Sequence, residues 1–153
     1  MNKIFSFFII LLLINCSKID PANFWLNYQS EKISFTFSDQ GPWGGTAKII
    51  WKSNNNNFNE KDILDYAKDN YWLLTDSINV KNGILEKSKN NYTFDIIKIE
   101  KLLDDKFKNS KLYIFKSGMI AVEPGNLSET EENGFLLLNS EKNMLKMYNR
   151  WGE

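Results

Sequence analysis

"KISFTFS", residues 32–38, switches the chain to a period of two. Ile33, Phe35 and Phe37 fall on one side of an extended segment, and Ser34, Thr36 and Ser38 on the other. Alternation of this kind belongs to a strand with one buried face. "TAKIIWK", residues 46–52, repeats the signal with Ala47, Ile49 and Trp51 on one face. Between the two lies "DQGPWGG", residues 39–45, whose glycines and proline have the composition of a connecting loop. Two alternating segments joined through so short a connection pair antiparallel, so the fold is built on a meander.

Outward toward the C-terminus, Asn54–Asn57 is a polar loop and a helix follows over residues 59–70. Asn59 is placed to cap it, with Asp62 three residues on. Ile63, Tyr66, Ala67 and Tyr71 keep the spacing of one helical face. "WLLTDSINV" then runs into Asn82-Gly83, the strongest hairpin dipeptide in the chain. "ILEKS" returns, "YTFDIIKIE" reads as a strand, and "KLLDDKF" fits a helical turn or a widened loop. "KLYIFKS" is expected to pair with "MIAVE" across Ser117-Gly118, and a polar loop over Pro124–Asn133 to precede "FLLLNS" and "MLKMYNR". The pattern predicts an α+β fold: one curved antiparallel sheet of about seven to nine strands with one main helix. A small β-barrel with a helix is the alternative.

Outward toward the N-terminus, residues 17–31 are polar with isolated aromatics (Phe24, Trp25, Tyr28) and read as a tether. Before them, Lys3 precedes an apolar run from Ile4 to Ile14, and the run ends at Cys16, the only cysteine in the chain. Eleven helical residues span about 16 Å, short of the roughly 30 Å of a bilayer core, and fit the apolar region of a secretory signal. Leu13-Ile14-Asn15-Cys16 resembles the lipobox of bacterial lipoproteins, with an apolar residue three positions before the cysteine. The resemblance implies a signal peptide over 1–15 and a diacylglyceryl thioether and N-acylation on Cys16, which makes 16–31 a lipid anchor and tether; the length that remains, 32–153, is that of one domain. It also implies a bacterial cell-envelope location. Lys18 and Asp20, close behind the cysteine, resemble the surface-export signal of some Gram-negative lipoproteins, and Ser17 does not resemble an inner-membrane retention signal, which together imply the outer membrane, facing the periplasm or the surface. Several acyl chains on one residue make release from a membrane slow.

Composition narrows the chemistry. The chain has no histidine and no cysteine beyond Cys16, so neither a Ser-His-Asp triad nor a Cys-His pair can form. Transition metals lose their usual nitrogen and sulfur ligands, and no metal or cofactor is expected. Basic and acidic residues balance at 19 each, so nucleic acid is not an expected partner. Arg150 is the only arginine, which leaves little for a dedicated anion clamp. Asp104-Asp105 and the Glu129, Glu131, Glu132 group are the available carboxylate pairs for a hydrolase. Both sit in polar surroundings that keep carboxylates solvated.

The candidate contact is Trp43 with Gly44 and Gly45. Trp is enriched at binding hot spots, and glycines let a backbone come close to a partner. The competing reading folds Trp43 back over an open end of the sheet. The sequence therefore points to a non-catalytic binding or interaction module, anchored to the membrane through acyl chains on Cys16 and contacting another envelope protein. A carrier of a lipid or other apolar ligand is the alternative, and a carboxylate-based hydrolase the third reading. A carrier needs an enclosed apolar cavity; an interaction module needs a packed core and an exposed apolar surface.

Overall fold

The computed structural model describes residues 20–54, 57–86, 103–123 and 126–152. Among the described residues seven strands form one sheet: β1 (Ile33–Gly41), β2 (Gly44–Lys52), β3 (Leu73–Lys81), β4 (Ile84–Leu85), β5 (Ser110–Glu123), β6 (Asn126–Asn139) and β7 (Met144–Gly152). Their order across the sheet is β1-β2-β7-β6-β5-β3-β4. Neighbours run antiparallel, and a single parallel bridge, Ala121 to Gly152, curls the far end of β5 against β7. Among the described residues β1 and β4 remain edges, so the sheet is open and the fold is α+β rather than a barrel.

The helix, α1 (Glu60–Asp69), starts where the cap requires it. The Asn59 side chain accepts from the Lys61 N–H at 2.9 Å, and Asn70 closes the other end. Ile63 and Ala67 are buried against the sheet, while Tyr71 lies beyond the helix with φ of 65° and points to solvent. Tyr71 is therefore not part of the apolar face assigned to it. Asn82 and Gly83, with φ of 53° and 78°, make the expected tight turn between β3 and β4.

Each face of the sheet carries its own core. On the first, Ala47, Ile49 and Trp51 of β2, Leu145, Met147 and Trp151 of β7, Leu136 and Leu138 of β6, and Tyr113 and Phe115 of β5 meet α1, Phe58 and Trp72. On the second, Ile78, Val80, Leu112, Ile114, Phe135 and Leu137 pack with Phe107 from a 3-10 turn at Asp105–Phe107. The run "FLLL", residues 135–138, is continuous because β6 lies mid-sheet and is buried on both sides.

Four further expectations change. Residues 20–31, the described part of the segment read as tether, wind through 3-10 turns at Asn23–Asn27 and Ser30–Lys32 and place Trp25 and Tyr28 inside the first core. The Trp51 indole donates to the Tyr28 carbonyl at 2.7 Å, which ties this segment to β2. Ser117-Gly118 is no hairpin. Gly118, with φ of 78°, sits inside one long strand where the β5–β6 register shifts, as at a bulge. From Asn126 on, the polar segment before "FLLLNS" belongs to β6 rather than to a loop, and Lys116 of β5 pairs with Glu131 at 2.5 Å. Finally, Phe35 and Phe37 are not core residues. Their strand bulges between Ile33 and Phe35, which turns the two rings to the face opposite Ala47, Ile49 and Trp51. "YTFDIIKIE" and most of "ILEKS" lie outside the described residues.

Candidate functional site

The β1–β2 hairpin closes through two residues, Pro42 and Trp43, between the paired Gly41 and Gly44. So short a loop offers Trp43 no local cover, and its side chain is 76 % exposed. It does not fold back over the sheet. Below it, Phe35 and Phe37 are 46 % and 48 % exposed on one side of β1. The Lys48 ammonium lies 5.7 Å from the centre of the Phe35 ring, a cation–π contact at the surface. A cleft of about 320 Å³ runs under the tip, lined by Trp43, Gly45, Thr46, Asp39 and Arg150, the chain's sole arginine.

Gly44 and Gly45 serve the sheet itself. A Cβ on Gly45 would stand 2.4 Å from the Asp39 carbonyl oxygen and 2.7 Å from the Trp151 ring. Gly44 pairs with Gly152, whose own Cβ would meet the Trp43 carbonyl oxygen at 1.9 Å. The close approach that glycine permits is thus made to β7, and it holds the hairpin tip flush against the end of the sheet. Cys16 lies outside the described residues.

The carboxylates are dispersed among lysines. Asp104 bonds Lys146 at 2.8 Å, and Asp105 bonds Lys108 at 2.5 Å. Glu131 is held by Lys116, which keeps its carboxyl below the usual range. Burial raises the Asp104 carboxyl, but the Lys146 bond and charge outweigh it and hold the group low. Lys146 is a feature the sequence reading missed. It is 1 % exposed, with its ammonium 4.3 Å from the centre of the Phe107 ring. Burial pushes this lysine below its ordinary value, partly countered by Asp104. A buried polar cluster was also missed. Asn133 accepts from the Ser117 hydroxyl at 2.6 Å and donates to the Met119 carbonyl at 2.7 Å, while Asn149 donates to the Asn133 carbonyl at 2.8 Å. It sits at the bulge around Gly118, where regular strand pairing lapses and side chains satisfy the freed backbone groups.

The other clefts surround the β6–β7 turn. The larger, about 530 Å³, has Val80, Tyr113 and Leu138 among its walls and Lys81, Lys111, Lys142 and Glu60 around them. Lys111 bonds Glu60 at 2.5 Å, which lowers the Glu60 carboxyl. Burial first, and then the Glu60 charge, push the Tyr113 hydroxyl far up, so it stays protonated. This cleft is open to solvent rather than enclosed. No protein-family model, no curated protein and no solved structure matches this chain.

Proposed function

We propose that the chain is a lipid-anchored, non-catalytic interaction module of the bacterial envelope, held to the membrane through Cys16 and contacting another envelope protein through the tip of the β1–β2 hairpin. The observation that carries this reading is Trp43, a large aromatic ring left in solvent at the tip of a hairpin whose scaffold is otherwise well packed. Exposed aromatics beside an arginine have the composition of a binding hot spot. The carrier reading has less support, because the 530 Å³ cleft among the described residues is open to solvent, with Glu60, Lys81, Lys111 and Lys142 around its apolar wall. The hydrolase reading would need two carboxylates facing each other across a cleft, whereas Asp104, Asp105 and Glu131 each bond a separate lysine.

The test compares the full chain with Trp43→Ala in affinity capture from envelope extracts. The variant should melt within about 0.5 kcal/mol of the parent, as exposed substitutions do. Capture of any specific partner should weaken by about 2 kcal/mol, roughly 30-fold. Equal capture by both proteins removes Trp43 from the contact. The anchor is tested separately: Cys16→Ser should leave the precursor unprocessed and without the mass of the acyl chains. An unchanged mass and membrane fraction for Cys16→Ser would end the lipoprotein reading.

A further inference from the structure

β1 is an edge strand whose stretch beyond the bulge at Ser34 carries none of the side-chain protection usual at an edge. Natural edges carry lysine, proline or inward charges that block pairing with another strand. Ile33–Gly41 contains none of these, and its one charged residue is Asp39. Every residue from Ser34 to Asp39 is exposed. Gly41 and Gly44 close a two-residue hairpin, so they form a hydrogen-bonded pair. Alternation from that pair directs the N–H and C=O of Phe35, Phe37 and Asp39 toward β2. Those of Thr36 and Ser38 point away from the sheet, and among the described residues no strand lies on that side.

The exposed segment Ser34-Phe35-Thr36-Phe37-Ser38 reads the same in both directions. We propose that β1 pairs antiparallel with β1 of a second copy of this chain about a twofold axis at Thr36, which joins two sheets into one. A palindromic edge strand suits an isologous contact, because a twofold axis sets each residue against its own mirror position. Thr36 exchanges both backbone hydrogen bonds with Thr36 of the other copy. Phe35 then stands opposite Phe37 in the closely spaced, non-hydrogen-bonded position, where cross-strand aromatic pairs form. Ser34 meets Ser38 on the other face. Asp39 faces Ile33 and lies next to Lys32 of the other copy, so no like charges oppose each other along the strand.

The bulge at Ser34 limits the pairing to a few residues, so the contact is small and the dimer weak in free solution. Confinement to one membrane through Cys16 would raise the effective concentration of the copies. The inference rests on the anchored reading only for that enhancement. Trp43 lies outside the paired segment, so self-pairing and partner capture separate experimentally.

The experiment is sedimentation of the full chain in detergent over a wide concentration range. A concentration-dependent rise from one to two chains per particle is expected. Thr36→Pro should abolish it, because the lost N–H points away from β2 and the internal ladder stays intact. Trp43→Ala should dimerise like the parent. A second measurement uses Thr36→Cys in a Cys16→Ser background. The hydrogen-bonded pair would hold the two Cα atoms about 5.5 Å apart, within disulfide range, so mild oxidation should cross-link it roughly tenfold faster than Ser77→Cys on β3. One chain per particle at every concentration, dimers unaffected by Thr36→Pro, or equal cross-linking at both positions overturns the proposal. Loss of capture by Trp43→Ala with dimerisation retained supports both readings; dimerisation retained with capture unchanged sinks only the partner site.

Discussion

Lys146 stands between Leu145 and Met147 on β7, and strand alternation turns it to the face opposite theirs. There it meets Phe107 and reaches Asp104, which is half exposed. Removing one partner of a buried pair costs about 3–5 kcal/mol, because the other charge is stranded. Asp104 keeps contact with water, so Asp104→Ala should cost less, about 2–3 kcal/mol at neutral pH. The cost should shrink as pH rises. A lysine with a lowered folded value sheds its proton before the unfolded chain does, and stability climbs with pH across that interval. Denaturant melts of the variant between neutral pH and about pH 10 check both points, and a cost that stays constant with pH would show that Lys146 is not the group left stranded. None of this is legible in "MLKMYNR", where alternation alone sets Lys146 on the face opposite Leu145 and Met147. The sequence does show the alternation; it does not show that the 3-10 turn at Asp105–Phe107 covers the outward face.

The same limit acts on whole elements. The helix and the Asn82-Gly83 hairpin were legible because their signals are local: a capping side chain, a periodic face, two residues that tolerate positive φ. The strands "TAKIIWK", "FLLLNS" and "MLKMYNR" were legible because they pack at the middle of the sheet. β1 misled because one bulge reverses every side chain beyond it, and alternation counted through Ser34 assigns Phe35 and Phe37 to the wrong face. The tip was legible as a connection, but of residues 39–45 only Pro42 and Trp43 lie between the strands, the others pairing in β1 and β2, and the role of its glycines depended on Trp151 and Gly152, more than a hundred residues away. Residues 20–31 misled because their aromatics have no period. Each fills a separate place: Trp25 contacts Tyr28, Trp51, Tyr66 and Trp72, with ring centres 5.4–6.0 Å apart. Trp25→Ala should therefore destabilise the domain by about 3–5 kcal/mol, the cost of deleting a buried large aromatic. A chain starting at Lys32 should fail to show a cooperative melt, while one starting at Ser17 should melt like the parent. A cooperative melt from the shorter chain would mean that the first core closes without Trp25.

At the scale of the whole molecule, the first core is sealed by phenols as well as indoles, and this fixes how the protein meets alkali. Burial, and then the charge of Asp62, push the Tyr28 hydroxyl up to about 12. Burial together with Glu60 raises Tyr113 further, and burial raises Tyr66. In the unfolded chain all three ionise near pH 10. A group whose folded value is raised stabilises the fold fully below its unfolded value, and that contribution is lost as pH rises toward the folded value. Stability should thus increase up to about pH 10 as Lys146 is relieved of its buried charge, then fall above it. Each buried tyrosine that stays protonated contributes a slope of about 1.4 kcal/mol per pH unit over that range. Tyr28→Phe removes one such group while keeping the ring packed against Trp25, Trp51 and Tyr66. Its midpoint at neutral pH should change little, since among the described residues the lost hydroxyl accepts one bond, from the Gln29 amide at 3.1 Å. Between about pH 10 and 12 its stability should decline less steeply than the parent's, by about 1.4 kcal/mol per unit. Denaturant melts at half-unit steps measure the two slopes. Parallel slopes for parent and Tyr28→Phe would show that Tyr28 ionises in the folded protein as freely as in the unfolded chain, and that the aromatic seal over the first core admits water.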